Sequence, residues 1–352
     1  MLNMTSEAIL VTAIGLFGGV VLGLAARLGR FCTLGAIEDF LYGGSDTRLR
    51  MWGLAIGTAC TGTFALMGAG LLAGGDTLYL SFQWMPVASI IGGLMFGYGM
   101  ALCGNCGYGA LARLGGGDLR SFVIVLVMGV SAYAFLAGPF APLRDYLFHP
   151  TEITTGTLPG LAHQAAAISG LSPVPIGIAV GLLLCAVALC SQVFRSNPIA
   201  VFWSVAVGLA IVSGWAGTAW VARTGFEALP VVSHSFSSPV GETILFAMTG
   251  SARPLTFAVG SVAGVWIGAF IGSLIKGHFR WEACEDPREL RRQIIGAMIM
   301  GAGAVIAMGC TVGQGLSAFS VLAFSAPVTC LSIFAGAAVG LRQLIEGFSP
   351  AE

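Results

Sequence analysis

Charged residues are scarce: Asp, Glu, Lys and Arg together make up 9% of the 352 residues. A soluble domain carries roughly a quarter, so this chain has too little charge to coat a globule for water. The few charges balance, with 16 basic and 16 acidic residues. A basic surface for nucleic acid is therefore excluded. The first apolar segment lacks a basic n-region, since residues 1–10 hold Glu7 and no Lys or Arg. It reads as a retained helix, not a cleaved signal. A phosphate-binding loop is missing as well, because Gly115-Gly116-Gly117 has neither the Lys nor the Ser/Thr of that motif. No catalytic constellation for hydrolysis and no cofactor site is visible, so a transporter is expected in place of an enzyme. Nine cysteines are present, but most lie in or beside apolar runs, which argues against a disulfide framework.

What the chain does have is apolar length. Hydrophobic residues make up 56% of it, and glycine occurs 52 times, as expected where helices pack closely or break inside a membrane. Crossing the bilayer core takes about 20 apolar residues. Runs of that kind fall at 9–28, 52–72, 84–102, 119–137, 173–193, 198–221, 254–275, 294–308 and 327–345. The eighth is short unless its helix begins in the charged stretch around Arg291. With the N-terminus outside, thirteen of the 16 basic residues become cytoplasmic, leaving only Arg144, Arg223 and Arg253 outside. That asymmetry predicts an N-terminus outside and a C-terminus in the cytoplasm.

The chain also repeats itself. An offset of 204 positions lays Gly92 on Gly296, Gly97 on Gly301, Gly99 on Gly303, Cys106 on Cys310 and Gly109 on Gly313. The expected architecture is an all-α polytopic membrane protein of about nine transmembrane helices plus re-entrant half-helices. It forms a single permease domain, with repeat one at about 8–137, a connecting segment and extra helix at about 138–194, and repeat two at about 198–346. Five spans precede the second repeat, so it enters the membrane inverted, a plan that puts the substrate path between the halves.

Three cysteines share a local pattern: Cys32-Thr33-Leu34-Gly35, Cys106-Gly107-Tyr108-Gly109 and Cys310-Thr311-Val312-Gly313. Each follows a nearby glycine and precedes an apolar stretch shorter than a span, ending at Gly43-Gly44, at Gly115-Gly116-Gly117 and at Pro327. These stretches read as half-helices with the cysteines at their N-termini. Free N–H groups there attract anions, and irregular backbone at membrane depth is tolerated only where it is buried or lines a cavity. A thiol is a weak donor with a soft sulfur, suited to an anion with a terminal sulfur. Neutral thiols would relay a dianion through weak S–H contacts. A thiolate would instead attack a sulfane sulfur and form a persulfide. The neutral relay is preferred, because a thiolate repels a dianion.

Other residues are open to two readings. Arg30 draws an anion inward or anchors the chain at the cytoplasmic surface. Asn105 and Gln314 bind an oxyanion or satisfy broken backbone. Arg27 is positioned to neutralise Glu38 or Asp39. Cys103 and Cys106 form a Cys-x-x-Cys pair, readable as a redox pair or half of a metal site. No second ligand pair completes a metal site, and the repeat singles out Cys106 by aligning Cys103 with Ala307. Cys60, Cys185, Cys190 and Cys330 read as packing residues, Cys284 as a loop residue without a role, and His163 and His234 as exterior-loop histidines.

At Gly29-Arg30-Phe31-Cys32, at Cys103-Gly104-Asn105-Cys106-Gly107-Tyr108-Gly109 with Arg113-Leu114-Gly115-Gly116-Gly117, and at Met308-Gly309-Cys310-Thr311-Val312-Gly313-Gln314-Gly315 the sequence resembles the YeeE/YedE family of bacterial inner-membrane permeases. The resemblance spans nearly the whole chain. It implies thiosulfate uptake, with Cys32, Cys106 and Cys310 passing the ion through a constricted centre, and a cytoplasmic sulfurtransferase partner of the small TusA-like kind. Some members handle other sulfur or selenium compounds. A membrane sulfur-transfer enzyme working through a persulfide, or a channel for another small anion, are the competing expectations.

Overall fold

The computed structural model describes residues 6–148, 157–283 and 286–346. Among these there are helices, turns and isolated bridges but no strand. Helix α1 (Ser6–Leu28) breaks and restarts as α2 (Thr33–Leu41), followed by α3 (Thr47–Gly68) and the short α4 (Leu78–Ser81). Helix α5 (Pro86–Cys103) breaks and restarts as α6 (Gly107–Leu114), then α7 (Leu119–Leu136) follows. The connecting part holds α8 (Ala141–Leu147), α9 (Leu161–Ser169), α10 (Pro173–Leu189) and α11 (Gln192–Arg195). The rest is α12 (Pro198–Thr224), α13 (Ser238–Thr249), α14 (Phe257–Ile275), α15 (Pro287–Ile306), a short helix at 311–320, and α16 (Ser325–Glu346). That short helix is π-wound over Gly313–Ala318.

Each of the nine expected runs falls on a helix: α1, α3, α5, α7, α10, α12, α14, α15 and α16. Seven helical stretches among the described residues are long and apolar enough to cross a membrane. The two runs outside that set are α10, with 17 residues, and α15. Helix α15 does begin in the charged stretch, at Pro287, and reaches 20 residues. Prolines open α5, α10, α12 and α15, where a missing N–H costs nothing and φ is already helical.

Packing recurs at the sequence offset. Helix α5 lies against α15, and its flanks are covered by α16 as those of α15 are by α7. Helix α1 packs on α14 as α12 packs on α3. Helix α2 sits against α3 and α16 as α13 sits against α14 and α7. The glycines that coincide under the offset face each other across α5 and α15. A Cβ on Gly92 would lie 2.7 Å from the Gly303 carbonyl oxygen, and one on Gly296 would lie 2.8 Å from that of Gly99. Exchanging the helices by the offset turns the first contact into the second. The numbering rises on one helix as it falls on the other, so the two copies run antiparallel, as an inverted repeat requires. Close backbone approach through small residues is how membrane helices gain packing without a hydrophobic driving force between them.

The third half-helix ends earlier than Pro327 suggested. It stops at 320, Leu322 takes a left-handed φ of 51°, and α16 begins at Ser325. Pro327 is thus the third residue of a helix, where proline removes only an N–H that has no intrahelical partner.

Substituting Gly99→Leu or Gly296→Leu forces this seam apart, and overpacking of that kind costs ~1–3 kcal/mol or more. Both variants are expected to lose most of the monodisperse peak in detergent size-exclusion chromatography. Leu182→Ala, at a 55% exposed position on α10, is expected to run as the unsubstituted protein.

Candidate transport path

At all three breaks the residue two positions before the cysteine is left-handed: Arg30 (φ 55°), Gly104 (φ 76°) and Met308 (φ 55°). That turn stops the long helix and re-aims the chain. Each cysteine then opens the next helical segment, Cys32 as N-cap of α2 and Cys106 as N-cap of α6. The N–H groups of a helix's first turn have no intrahelical acceptor, and two of the three sulfurs accept from them. Gly109 N–H donates to Cys106 Sγ at 3.4 Å, and Gly313 N–H to Cys310 Sγ at 3.4 Å. Cys310 Sγ also accepts from Phe236 N–H at 3.2 Å. With its acceptor side engaged, a neutral thiol has its own S–H left to donate.

The three sulfurs converge. Cys106 lies within electrostatic reach of both Cys32 and Cys310, and the Thr311 hydroxyl approaches its sulfur. Cys106 and Cys310 are 0% and 1% exposed, whereas Cys32 is half-buried. Cys32 lines a cavity of about 350 Å³ together with Arg27, Arg30, Arg48, Asn105, Arg113 and Lys276. A second, wider cavity of about 540 Å³ reaches Gly309, Ser235 and Tyr79. Ser235 brings the wide cavity next to Cys310, Cys106 lies near both other cysteines, and Cys32 opens on the basic cavity.

Arg30 and Asn105 both line the basic cavity, and Asn105 Oδ1 is buried with no hydrogen-bond partner. Gln314 goes elsewhere. Its amide N–H groups donate to the Ala307 and Met308 carbonyls, and Ser325 donates to its Oε1. Of the two roles open to Gln314, the geometry matches the bracing of broken backbone. Arg27 does not reach Glu38 or Asp39: it donates to Ser273 Oγ at 2.7 Å, and Arg48 pairs with Asp39 at 3.2 Å. The Lys276 ammonium donates to the Arg27 carbonyl at 2.7 Å, capping the C-terminus of α1. Burial first, then repulsion from Arg30 and Arg27, lowers its pKa below the usual lysine range. Cys103 faces away from Cys106, donating to the Gln293 carbonyl. Cys60 donates to the Gly177 carbonyl across α3 and α10, and Cys284 lies outside the described residues.

The profile of the sulphur transport family matches residues 28–339. The chain belongs to that family, the YeeE/YedE permeases. It is 26% identical over 329 residues to the thiosulfate transporter TsuA of Escherichia coli (strain K12), covering 86% of each chain. It is 25% identical over 324 residues to the thiosulfate transporter TsuA of Spirochaeta thermophila, covering 88% of this chain and 92% of that one. This sulphur transport family member is accordingly a multi-pass membrane transporter and not an enzyme.

Several groups around the cysteines and the two cavities are not marked by the sequence. Arg48 and Arg113 read from the sequence as cytoplasmic charges, Arg113 also within the family motif, and Ser235, Phe236 and Tyr79 carry no motif. His234 was expected in an exterior loop but is fully buried, with Nδ1 2.7 Å from Ser261 Oγ. It is stacked near Phe236, so the loop after α12 dips into the core. His163 is half-buried in α9.

The basic cavity makes a measurable prediction for thiol labelling. At low ionic strength a sulfonate-bearing methanethiosulfonate reagent should modify Cys32 about tenfold faster than its trimethylammonium analogue, and molar salt should erase the difference. Peptide mass spectrometry reads both rates, with Cys103 staying unmodified in the folded protein. Equal rates at low salt would contradict a basic lining around Cys32.

Proposed function

We propose that this protein takes up thiosulfate across the bacterial inner membrane through a central path in which Cys310, Cys106 and Cys32 pass the anion by weak S–H contacts. The observation that carries the reading is the convergence of three cysteine sulfurs where helices restart, between an apolar cavity on one side and a basic one on the other. The names of the two TsuA relatives supply the substrate. Thiosulfate has a soft terminal sulfur that sulfate lacks, and polarisable thiols suit it. Helix N-termini add partial positive charge without a fixed cation, and several weak sites let the ion leave as readily as it enters.

The distribution of basic residues supports a periplasmic N-terminus and a cytoplasmic C-terminus. The wide cavity, bordered by Ala8 and Val11 near the start of α1, is then the entrance. The basic cavity is the exit, and its arginines and Lys276 hold the arriving anion where a TusA-like sulfurtransferase would collect it. The chain acts as one domain, with repeats at about 8–137 and 198–346 joined by 138–194.

Thiosulfate labelled separately on its two sulfurs tests intact passage in cells using it as sole sulfur source. Both labels are expected inside in the fed ratio. Arrival of the sulfane label alone would replace this reading with persulfide transfer. Cys32→Ala, Cys106→Ala and Cys310→Ala are each expected to cut uptake at least roughly tenfold, the cost of about 1.4 kcal/mol at a transport barrier. Undiminished uptake in all three would remove the thiol relay and favour a general anion channel.

A further inference from the structure

The matched packing contains four restarts, not three. Helix α13 occupies the place in the second half that α2 holds in the first, packed on α14 and α7 as α2 is on α3 and α16. The residues that open them correspond as well: Phe31-Cys32-Thr33 precedes and begins α2, and Phe236-Ser237-Ser238 precedes and begins α13. Both phenylalanines are buried. The fourth position is thus a serine where the other three are cysteines.

Three observations point to a ligand there. Ser237 is the N-cap of α13 yet makes no side-chain capping bond, is 1% exposed, and lines the wide cavity. A buried N-cap serine normally satisfies its own helix; this hydroxyl is left for something in the cavity. Ser235 Oγ, lining the same cavity, stands 3.7 Å from Cys310 Sγ. Gly313 leaves the room for this approach: a Cβ there would lie 2.7 Å from Ser235 Oγ and 3.1 Å from Tyr79 Oη. The hydroxyls of Ser235 and Tyr79 therefore meet over the first turn of the helix that Cys310 opens.

We propose that Ser235, Ser237 and Tyr79 form a hydroxyl collar, a fourth station that binds the oxygen end of a tetrahedral sulfur oxyanion while Cys310 meets its terminal sulfur. The proposal rests on the uptake reading above and adds how the anion is first held and oriented. Hydroxyls are stronger donors than thiols and match the three hard oxygens of thiosulfate; hydrogen bonds to a charged acceptor are the strong ones. The wide cavity is mainly apolar and no cysteine among the described residues lines it, so an anion entering it meets these hydroxyls before any thiol. Oxygen-end capture at the collar turns the sulfane sulfur toward the cysteines and gives the path a direction that three identical thiols lack.

The test uses the full-length protein in cells, with initial rates of radiolabelled thiosulfate uptake over a range of concentrations and expression checked by immunoblot. Ser235→Ala and Ser237→Ala are each expected to raise the half-saturation concentration about tenfold, the loss of one hydrogen bond to a charged group. The maximal rate should stay within about twofold. Tyr79→Phe is expected to act in the same direction. Ser235→Thr and Ser237→Thr, which keep the hydroxyl, are expected to restore the half-saturation concentration. Unchanged half-saturation in the alanine variants would overturn the collar, and so would equal losses in the Thr and Ala pairs, which would mean packing alone. In either case, wild-type uptake that is lost in Cys310→Ala leaves the thiol path standing. Absence of thiosulfate uptake by the unsubstituted protein would overturn both.

Discussion

A helix that begins inside the apolar part of a membrane leaves its first N–H groups without water to bond. Something must satisfy them, and whatever does so also controls what an arriving anion meets. In this protein sulfur takes that place at two restarts, with Gly109 N–H on Cys106 and Gly313 N–H on Cys310. A sulfur acceptor bonds weakly. It quiets the backbone without burying a fixed charge, and a neutral thiol keeps an S–H to donate. A carboxylate there would repel an anion, and an arginine would hold it. The left-handed residues Arg30, Gly104 and Met308 serve this constraint, since each aims a fresh helix start at the centre.

The two halves share a scaffold but not a chemistry. Antiparallel copies of one packing scheme meet at the glycine seam of α5 and α15. An exact two-fold would give identical vestibules. Instead one is lined by Arg27, Arg30, Arg48, Arg113 and Lys276, and the other is largely apolar with hydroxyls at its floor. The matched packing brings the helix restarts together, and the side chains that do not match distinguish one cavity from the other.

Much of this was legible in the sequence because the signals were local. Cys-x-x-Gly after a helix break predicts a short restart, and Cys32, Cys106 and Cys310 all open one. The eighth run is long enough only if its helix begins in the charged stretch around Arg291, and α15 does begin there, at Pro287. Less visible were features that depend on distance along the chain. Arg48 reaches Asp39 from the next helix, and no spacing rule favours it over Arg27. His234 looked exposed because it follows a polar loop, yet that loop folds inward beneath α1, where a Cβ on Gly18 would run into its ring. The serine restart at Ser237 escaped notice for two reasons. It lacks the cysteine that marks the others, and it is displaced by one residue from the 204-position offset.

The π-winding of Gly313–Ala318 sets the last helical segment apart from α2 and α6. A π-turn holds one residue more than an α-turn, so side chains beyond it are turned by about 100° from where regular winding would leave them. Within the π segment Ser317 donates to the His234 carbonyl at 2.7 Å, and just beyond it Ser320 accepts the Trp215 indole N–H at 2.9 Å. Those two bonds stitch the inward strap at 232–237, and the helix it leaves, onto the same short segment that Cys310 begins. One surplus residue thus serves as a mechanical mount. It sets contacts from remote parts of the chain on one short segment, where the strap also reaches the sulfur directly through Phe236 N–H on Cys310 Sγ.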